Sequence, residues 1–250
     1  MSSPESWYVR AFDDVYLEVY AHRDADEAER VTHALLEPLG LRGRRVLDLA
    51  CGAGRYTRAL AARGARVVGL DLSSALLNSA LESTHAGAAF VRGDMLRLPL
   101  RSASCHLVLS MFTSFGYLAT SDEDQAMLGE VRRVLRDDGC FLLDFFNAAR
   151  VRRTLVPETR RRAGRFDVLE RRSIDASTNS VVKEIELRSG GKTYAYREVV
   201  RLWSRPQLEK ALCAAGLRVD RVWGDYEASA FDPEESERLL LLARSAPLPG

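Results

Sequence analysis

Cysteine is scarce in this sequence, and long apolar runs are absent. The four cysteines stand far apart with no C-x-x-C pair, which excludes a disulfide framework and a zinc site of the usual spacing and favours reduced thiols. The longest late apolar run, Leu239 to Ala243, is too short to cross a bilayer, and the N-terminus MSSPESWYVR has no apolar region of the signal-peptide kind. A net charge of +1 gives no overall attraction to nucleic acid or to an anionic membrane. We therefore expect a cytoplasmic protein with no membrane segment.

The chain of 250 residues has instead a regular alternation of apolar strands and helices. Helices are predicted at residues 7–20, 26–39, 55–62, from Ser73 or Ser74, at 122–136 and from Ser204 to Gly216. Five segments read as strands that are apolar throughout: RRVLDLA, ARVVGLDL, AAFVRGD, HLVLSMF and, after a turn at residues 137–139, CFLLDFF. Such strands, separated by helices, imply a parallel sheet covered on both faces. The sequence predicts an α/β fold of this Rossmann-like kind, closed by the strands LRVDRVWGDY and RLLLLARSA.

The pattern changes after Asn147. Between Phe166 and Leu202, three alternating segments (FDVLERRSI, SVVKEIELR and TYAYREVVRLW) are separated by turn signals, which is typical of an antiparallel meander. We expect one domain of four parts: an N-terminal helical lid at residues 1–40, a ligand-binding core at 41–150, the antiparallel β insertion at 151–203, and a C-terminal helix with closing strands at 204–250.

The stretch VLDLACGAGRYT carries an apolar strand into a glycine-rich turn. It is not the dinucleotide fingerprint, because Gly52 and Gly54 are followed by Thr57 where a third glycine is required. It is not a phosphate-binding P-loop either, since no Gly-Lys-Ser/Thr follows. Asp48, just before the turn, would repel a diphosphate. The ligand is therefore expected to lack phosphate and to carry a cationic group near Asp48.

S-adenosylmethionine meets these demands, because it presents an α-ammonium and a sulfonium to a carboxylate. The glycines Gly52 and Gly54 would let the ligand approach the backbone closely. Asp71, at the end of the second strand, is placed to accept both ribose hydroxyls. At the end of the third strand, Asp94 would accept from the adenine amino group while Met95 packs on the ring. Consecutive strand ends thus place an acid each at the sheet edge where α/β proteins bind ligands.

The successive motifs VLDLACGAGRYT, VVGLDLS, FVRGDMLRLPL and HLVLSMFTSFGYL resemble those of class I S-adenosylmethionine-dependent methyltransferases. The resemblance is strong over residues 44–146. It implies a seven-stranded sheet with the last strand antiparallel, and S-adenosylmethionine as the donor, leaving S-adenosylhomocysteine, with no metal. The donor contacts that we predict are Asp48, Ala50, Gly52, Gly54, Asp71, Leu72, Asp94, Met95 and Ser110.

The sequence constrains the methyl acceptor mainly through the motifs that it lacks. The fourth strand ends in SMFTSFGY, without the N/D-P-P-Y signature that holds a planar nitrogen, without a cysteine at its tip and without a carboxylate cluster for magnesium. The run MFTSFGYL resembles small-molecule methyltransferases, especially those that N-methylate nucleotide-bound amino sugars. This resemblance implies a small-molecule acceptor, with nitrogen favoured as the nucleophile, and a β insertion that walls the acceptor pocket or forms a homodimer contact. Because methyl transfer is an in-line displacement, positioning can supply most of the acceleration.

Candidate acceptor contacts come from the predicted lid and from the loops after the fourth and fifth strands. We predict Tyr20 and Tyr117 as catalytic side chains; His22 is a further candidate base. The substrate contacts that we predict are Tyr16, Phe115 and Asn147. An aromatic stripe that merely packs on the domain explains Tyr16 and Tyr20 about as well. His106, at the start of a strand, is predicted to be structural.

Two other classes of function stay open at the level of sequence. Nine arginines lie between Arg150 and Arg172, and such a segment could hold RNA phosphates, the diphosphate of a nucleotide sugar or a protein substrate. Only one aromatic residue, Phe166, stands among these arginines, which counts against RNA, and a solvated arginine-rich face is the simpler explanation. A binding module that keeps the donor fold without catalysis is the other alternative. The intact carboxylates Asp48, Asp71 and Asp94 argue against it.

Overall fold

The structure is a computed structural model, and it describes residues 12–19, 25–83 and 85–246. The strands of its main sheet, in chain order, are β1 (Arg45–Leu49), β2 (Arg66–Asp71), β3 (Ala88–Arg92), β4 (Cys105–Ser110), β5 (Leu135–Phe146), β10 (Leu217–Trp223) and β11 (Arg238–Ser245). They lie in the order β10-β11-β5-β4-β1-β2-β3. The strand β11 runs antiparallel to both β5 and β10, whereas β1 to β5 pair in parallel. The predicted Rossmann-like sheet with an antiparallel last strand is confirmed.

The two faces of this sheet bury separate apolar clusters. Successive residues of a strand point to opposite faces, so Leu47 and Leu49 of β1 pack in one cluster while Val46 packs in the other. Because both faces are buried, the strands need apolar side chains in both directions, which explains their unbroken hydrophobic runs. The helices packed around the sheets are α1 (Asp14–Val19), α2 (Ala25–Val31), α3 (Arg55–Ala62), α4 (Ser74–Glu82), α5 (Ser121–Val134), α6 (Ala148–Thr154) and α7 (Arg205–Ala214).

A second sheet of four antiparallel strands follows the fifth strand of the first. Its strands are β6 (Glu158–Ala163), β7 (Phe166–Asp175), β8 (Ser180–Ser189) and β9 (Lys192–Arg201). Phe166, Val168 and Leu187 on its inner face are buried together with Val19 of α1. The Tyr196 hydroxyl also donates to Asp13 Oδ2 at 2.9 Å, immediately before α1. The second sheet therefore packs against the short helix α1 and holds it in place.

The sequence missed two elements of this region. The first is helix α6, which Asn147 caps by accepting a hydrogen bond from the Ala149 N–H at 3.1 Å. The second is strand β6, so the insertion has four strands where the alternating segments predicted three. The β6 sequence ETRRRA has no apolar stripe on either face, and hydropathy alone does not mark it as a strand.

Several predicted boundaries also differ from the structure. The helix expected over residues 26–39 is α-helical only to Val31, and it continues as a π-helical turn (Thr32–Leu36) and a 3-10 turn (Glu37–Leu39). It ends at Gly40, as predicted, in a left-handed cap. Helix α5 ends at Val134, and β5 begins directly at Leu135, before the expected turn at residues 137–139. None of the helices in the described residues has the length and apolarity needed to span a bilayer.

Candidate donor and acceptor cavity

A cavity of about 430 Å³ lies at the carboxyl ends of β1 to β4. The glycine loop after β1 and the ends of β2 and β3 form its floor, and the loop after β4 forms one wall. Phe12, Tyr16 and Leu17, at the start of α1 and along it, close the cavity from above. In open α/β sheets ligands bind outside the carboxyl ends of the strands, so this is the position expected for the ligand.

The glycine loop is held in shape by the acid at the end of β2. Asp71 Oδ2 accepts a hydrogen bond from the Gly52 N–H at 2.8 Å, and Asp71 Oδ1 accepts one from the Ser73 N–H at 2.8 Å. Ser73 then caps α4 by accepting from the Leu76 N–H, and its hydroxyl donates to the Phe12 carbonyl at 2.6 Å. The loop, the start of α4 and the segment before α1 are thus linked through one carboxylate.

Asp48 lies at the end of β1 and has lost nearly all contact with solvent. The residue is 2% exposed, and the Thr57 hydroxyl donates to Asp48 Oδ2 at 2.7 Å. Burial raises the pKa of Asp48 to about 6, although the Thr57 hydrogen bonds and the nearby Arg55 oppose the shift. A desolvated carboxylate at a cavity wall favours a cationic ligand, because the ligand restores the charge balance that burial removes.

The loop after β4 takes an unusual path along the cavity wall. Phe112 and Thr113 both adopt left-handed backbone conformations, with φ of 57° and 60°, which cost about 1–3 kcal/mol each and persist only where the surroundings enforce them. The buried Asp144 of β5 supplies that enforcement. Its Oδ2 accepts from the Phe112 N–H at 2.8 Å, and its backbone carbonyl accepts from the Thr113 N–H at 3.1 Å.

Asp144 is in turn neutralised by groups from the C-terminal hairpin. The Arg238 guanidinium donates to Asp144 Oδ1 and to the Thr113 hydroxyl, and the Tyr226 hydroxyl donates to Asp144 Oδ2 at 2.8 Å. This network fixes the loop that brings Met111, Phe112, Ser114 and Tyr117 to the cavity. In the sequence, this network is marked by the acid inside the otherwise apolar strand CFLLDFF, a pattern that does not show which groups the acid contacts.

Most of the predicted side chains reach this cavity. Those that line it are Asp48, Ala50, Gly52, Asp71, Leu72, Asp94, Met95, Tyr16 and Tyr117. Their convergence follows from the parallel sheet, which brings consecutive strand ends to one edge. Tyr20 and His22 lie outside the described residues.

The structure places Phe115 and Asn147, both predicted as substrate contacts, outside the cavity lining. Phe115 is 1% exposed and points into the core, where its ring packs 5.7 Å from that of Trp203 between centroids. Asn147 caps α6, and its amide nitrogen donates to the carbonyls of Pro233 and Ser236 at 2.9 and 3.0 Å. Neither side chain lines the cavity. Asn147 anchors the loop between β10 and β11 instead.

Gly54 and Ser110, predicted as donor contacts, also lie away from the cavity lining. Gly54 has a φ of 76°, and a Cβ at this position would lie 2.5 Å from the Phe90 ring. Helix–strand packing and the backbone conformation therefore both require a glycine at this position. Ser110 is fully buried within β4, between the neighbouring strands β1 and β5.

The cavity also contains residues that sequence reasoning missed. Arg55 and Tyr56 begin α3 and line the cavity. The Arg55 guanidinium lies 3.8 Å from the centre of the Phe112 ring and donates to Glu27 Oε1 at 2.9 Å. A signal was available, because both residues directly follow the glycine loop in GAGRYT. Among the residues that the structure describes, no cluster of three or more His, Cys, Asp or Glu is arranged to hold a metal.

The arginine-rich segment is largely neutralised within the chain. Arg150 and Arg153 of α6 pair with glutamates of the loop before β11, and Arg161 and Arg172 pair with the buried Glu170. Arg160 and Arg171 pair with Glu158, and Arg165 pairs with Glu18. These contacts use the arginines to tie the insertion together and to attach it to the core.

Known proteins that resemble this chain in sequence are methyltransferases. The methyltransferase domain family matches residues 46–139. The putative methyltransferase YqeM of Bacillus subtilis is 30% identical over 144 residues, and the match covers 57% of this chain and 57% of that protein. The cypemycin N-terminal methyltransferase of a Streptomyces species is 28% identical over 214 residues, covering 82% of this chain and 84% of that protein. The chain thus spans little more than half the length of the first of these relatives.

Solved structures resemble the chain over nearly its whole length. The CcbJ methyltransferase from Streptomyces caelestis has a TM-score of 0.80 at 24% identity, covering 98% of this chain and 100% of that one. The sugar N-methyltransferase KedS8 from a Streptoalloteichus species has a TM-score of 0.72 at 20% identity, covering 99% of each chain. Residues 46–139 match the methyltransferase domain family, and the whole chain has the fold of solved S-adenosylmethionine-dependent methyltransferases. The predicted resemblance to that class is confirmed.

A glycine-to-alanine pair separates the packing role of Gly54 from backbone strain. We expect Gly54→Ala to lower the free energy of unfolding by about 2–4 kcal/mol, because it adds a clash with Phe90 to the strain of a positive φ. Gly40→Ala is the matched control, since Gly40 has a φ of 66° with open space around it. That control should lose only about 1 kcal/mol. Urea denaturation measures both, and equal losses would show that Phe90 imposes no constraint.

The raised pKa of Asp48 predicts a pH-dependent gain in stability for Asp48→Asn. The folded-state pKa of about 6 lies above the ordinary value of 3.8. Ionisation of Asp48 therefore lowers the free energy of unfolding of the wild type. This loss is absent below pH 3.8, grows as the pH rises, and is complete above about pH 6. Relative to the wild type, ligand-free Asp48→Asn should be more stable by about 1–3 kcal/mol above this window, and by much less below it. Urea denaturation at about pH 4 and about pH 7.5 tests this, and an offset that does not change with pH contradicts it.

Proposed function

We propose that this protein is an S-adenosylmethionine-dependent methyltransferase that acts on a small molecule, with nitrogen as the favoured methyl acceptor. The observation that carries the proposal is the cavity at the sheet edge, where Asp48, Asp71 and Asp94 converge from three successive strands around a glycine loop. The match of residues 46–139 to the methyltransferase domain family supports the same activity.

The residues present fit the proposed donor. A cavity of about 430 Å³ lies within the usual range for small-molecule sites, and the loss of solvent around Asp48 suits the α-ammonium and sulfonium of the donor. Asp71 would hold the ribose hydroxyls, and Asp94 with Met95 would hold the adenine. When bound, the donor would supply a methyl group on a sulfonium: the acceptor nucleophile would bond to the methyl carbon in line with the breaking carbon–sulfur bond, and S-adenosylhomocysteine would leave as a neutral thioether.

The protein's own contribution would be to position the acceptor and to exclude water. Tyr16 of α1 and Tyr117 after β4 both line the cavity, and both rings lie against that of Phe12. The Asp144 network holds the loop after β4 that leads to Tyr117. Orientation of two reactants accounts for a large part of the rate of such displacements. We propose Tyr117, which lines the cavity, as a catalytic residue. The lid at residues 1–40 and the β insertion at 151–203 would enclose the acceptor, and we propose the insertion as the face of a homodimer.

The small-molecule acceptor is preferred to RNA or protein because of the arginine pairs. Most arginines between Arg150 and Arg172 already face a carboxylate of this chain, which lowers the positive potential offered to a polyanion. The name of KedS8 describes a sugar N-methyltransferase, and this favours nitrogen in a small molecule. The name of the cypemycin enzyme describes an N-terminal methyltransferase, so a peptide amine is the second candidate.

A parallel activity assay distinguishes these acceptors. With tritium-labelled donor, we expect label to enter an acceptor in the small-molecule fraction of a cell extract and not in its RNA or protein fraction. Labelling of RNA that falls steeply with salt would contradict the small-molecule proposal and favour the arginine segment. Labelling of peptides alone would favour the second candidate. The absence of label in every fraction, with intact donor binding, would support the non-catalytic binding module.

Removal of the Asp71 carboxylate tests the donor site directly. We expect Asp71→Ala to weaken binding of S-adenosylhomocysteine by about 100-fold or more, because the variant loses two ribose contacts and the bond that holds Gly52. Asp175→Ala is the control: Asp175 also accepts from a backbone N–H two residues on, but it lies on a hairpin of the second sheet. Calorimetric titration measures both. Wild-type affinity in Asp71→Ala would remove the proposed ribose role.

A further inference from the structure

The segment that carries Tyr117 is held on both sides by one residue of the second sheet, Arg201. The Arg201 N–H donates to the Gly116 carbonyl at 3.0 Å, and the Arg201 guanidinium donates to the Ala119 carbonyl at 3.0 Å. Gly116 precedes Tyr117 in the chain, and Ala119 follows it. Arg201, at the end of β9, therefore brackets the short segment from which Tyr117 reaches the cavity.

The Arg201 guanidinium is itself fixed by the buried carboxylate of Asp124, in the first turn of α5. The guanidinium pairs with Asp124 Oδ2, and the Trp203 indole N–H donates to the same oxygen at 3.2 Å. Asp124 is fully buried, and its Oδ1 has no hydrogen-bond partner within the part of the chain that the structure describes. Burial raises the pKa of Asp124 to about 6, although Arg201 opposes the shift. The charge on Asp124 is therefore kept in the core at a cost.

Stability does not account for this ion pair. Apolar residues of similar volume often stabilise a protein as well as a buried ion pair does, and here one carboxylate oxygen lacks a partner. What the pair supplies is direction. Because Asp124 holds one nitrogen of the planar guanidinium, the other nitrogen is aimed at the Ala119 carbonyl.

Strand β9 also contacts the roof of the cavity. Tyr196 of this strand donates to Asp13 Oδ2 at 2.9 Å. Phe12, which precedes Asp13, stacks on the Tyr117 ring with 6.2 Å between the ring centroids. One strand of the insertion thus holds the two segments whose aromatic rings meet at the cavity.

We propose that Arg201 is a positioning residue for methyl transfer, whose guanidinium holds residues 116–119 so that Tyr117 orients the acceptor. This assignment rests on the proposed function, because it takes Tyr117 as a group that contacts the acceptor. In-line displacement depends on the alignment of the reactants, and a misplacement of about 1 Å can cost about 100-fold in rate. The second sheet then serves the reaction by fixing one wall of the cavity.

The conservative replacement Arg201→Lys tests this role. Lysine keeps a positive charge beside Asp124 but lacks the planar fork that binds Asp124 and Ala119 in one geometry. With tritium-labelled S-adenosylmethionine and dilutions of the small-molecule fraction of a cell extract, we expect the maximal rate of label transfer to fall about 10- to 100-fold. The affinity for S-adenosylhomocysteine, measured by calorimetric titration, should match that of the wild type within about twofold, because Arg201 does not line the cavity.

The matched control is Arg150→Lys. The Arg150 guanidinium also binds a carbonyl and a carboxylate, those of Glu235 at 2.6 Å and of Glu237 at 3.1 Å. It joins α6 to the loop before β11, however, and it does not line the cavity. Arg150→Lys should transfer label at the wild-type rate within about twofold.

A double variant separates positioning from general damage to the protein. If Arg201 acts through Tyr117, Arg201→Lys should cost no more than about twofold in a Tyr117→Ala background. A wild-type rate in Arg201→Lys, or a loss of the same size in both backgrounds, would overturn the assignment. A parallel loss of affinity for S-adenosylhomocysteine would also overturn it, because the replacement would then disturb the donor site. A wild-type protein that transfers no label would instead refute the proposed function.

Discussion

The carboxylate of Asp71 is the contact on which the candidate site depends. One of its oxygens accepts from the Gly52 N–H and the other from the Ser73 N–H, so a single side chain joins the loop after β1 to the start of α4. Gly52 is in a left-handed conformation, and the hydrogen bond holds the loop there. Through Ser73, the same contact reaches the Phe12 carbonyl beside α1. The floor and the roof of the cavity are therefore positioned by one acid that also faces the proposed ribose site.

Asp48 and Asp144 show two different uses of a buried acid at this sheet edge. Asp144 is fully buried, and Arg238, Tyr226 and a backbone N–H satisfy it, so its charge is used to hold the loop after β4. Asp48 is nearly as buried, but its hydrogen bonds come from the uncharged Thr57, and burial raises its pKa to about 6. The first acid is a structural anchor, whereas the second keeps an unmet preference for positive charge. This preference explains how a glycine loop can serve a cationic ligand.

The sequence predicted the main sheet and most of the cavity because both follow from local patterns. Apolar strands, glycine turns and strand-end acids specify a parallel sheet whose carboxyl edge gathers Asp48, Asp71 and Asp94. Local patterns do not show where a loop side chain points. Phe115, just after the left-handed residues Phe112 and Thr113, points into the core, and the Asn147 side chain caps helix α6. Strand β6 was missed because its inner face relies on ion pairs such as Arg161 with Glu170 instead of apolar contacts.

The central claim is that this glycine loop selects a cationic ligand without phosphate groups. Calorimetric titration of the wild-type protein with S-adenosylmethionine and, separately, with NAD tests it most directly. The account predicts saturable one-site binding of S-adenosylmethionine and no binding of NAD, because Asp48 would face the diphosphate of NAD. Binding of NAD with no binding of S-adenosylmethionine would contradict the account and indicate that the loop binds dinucleotides.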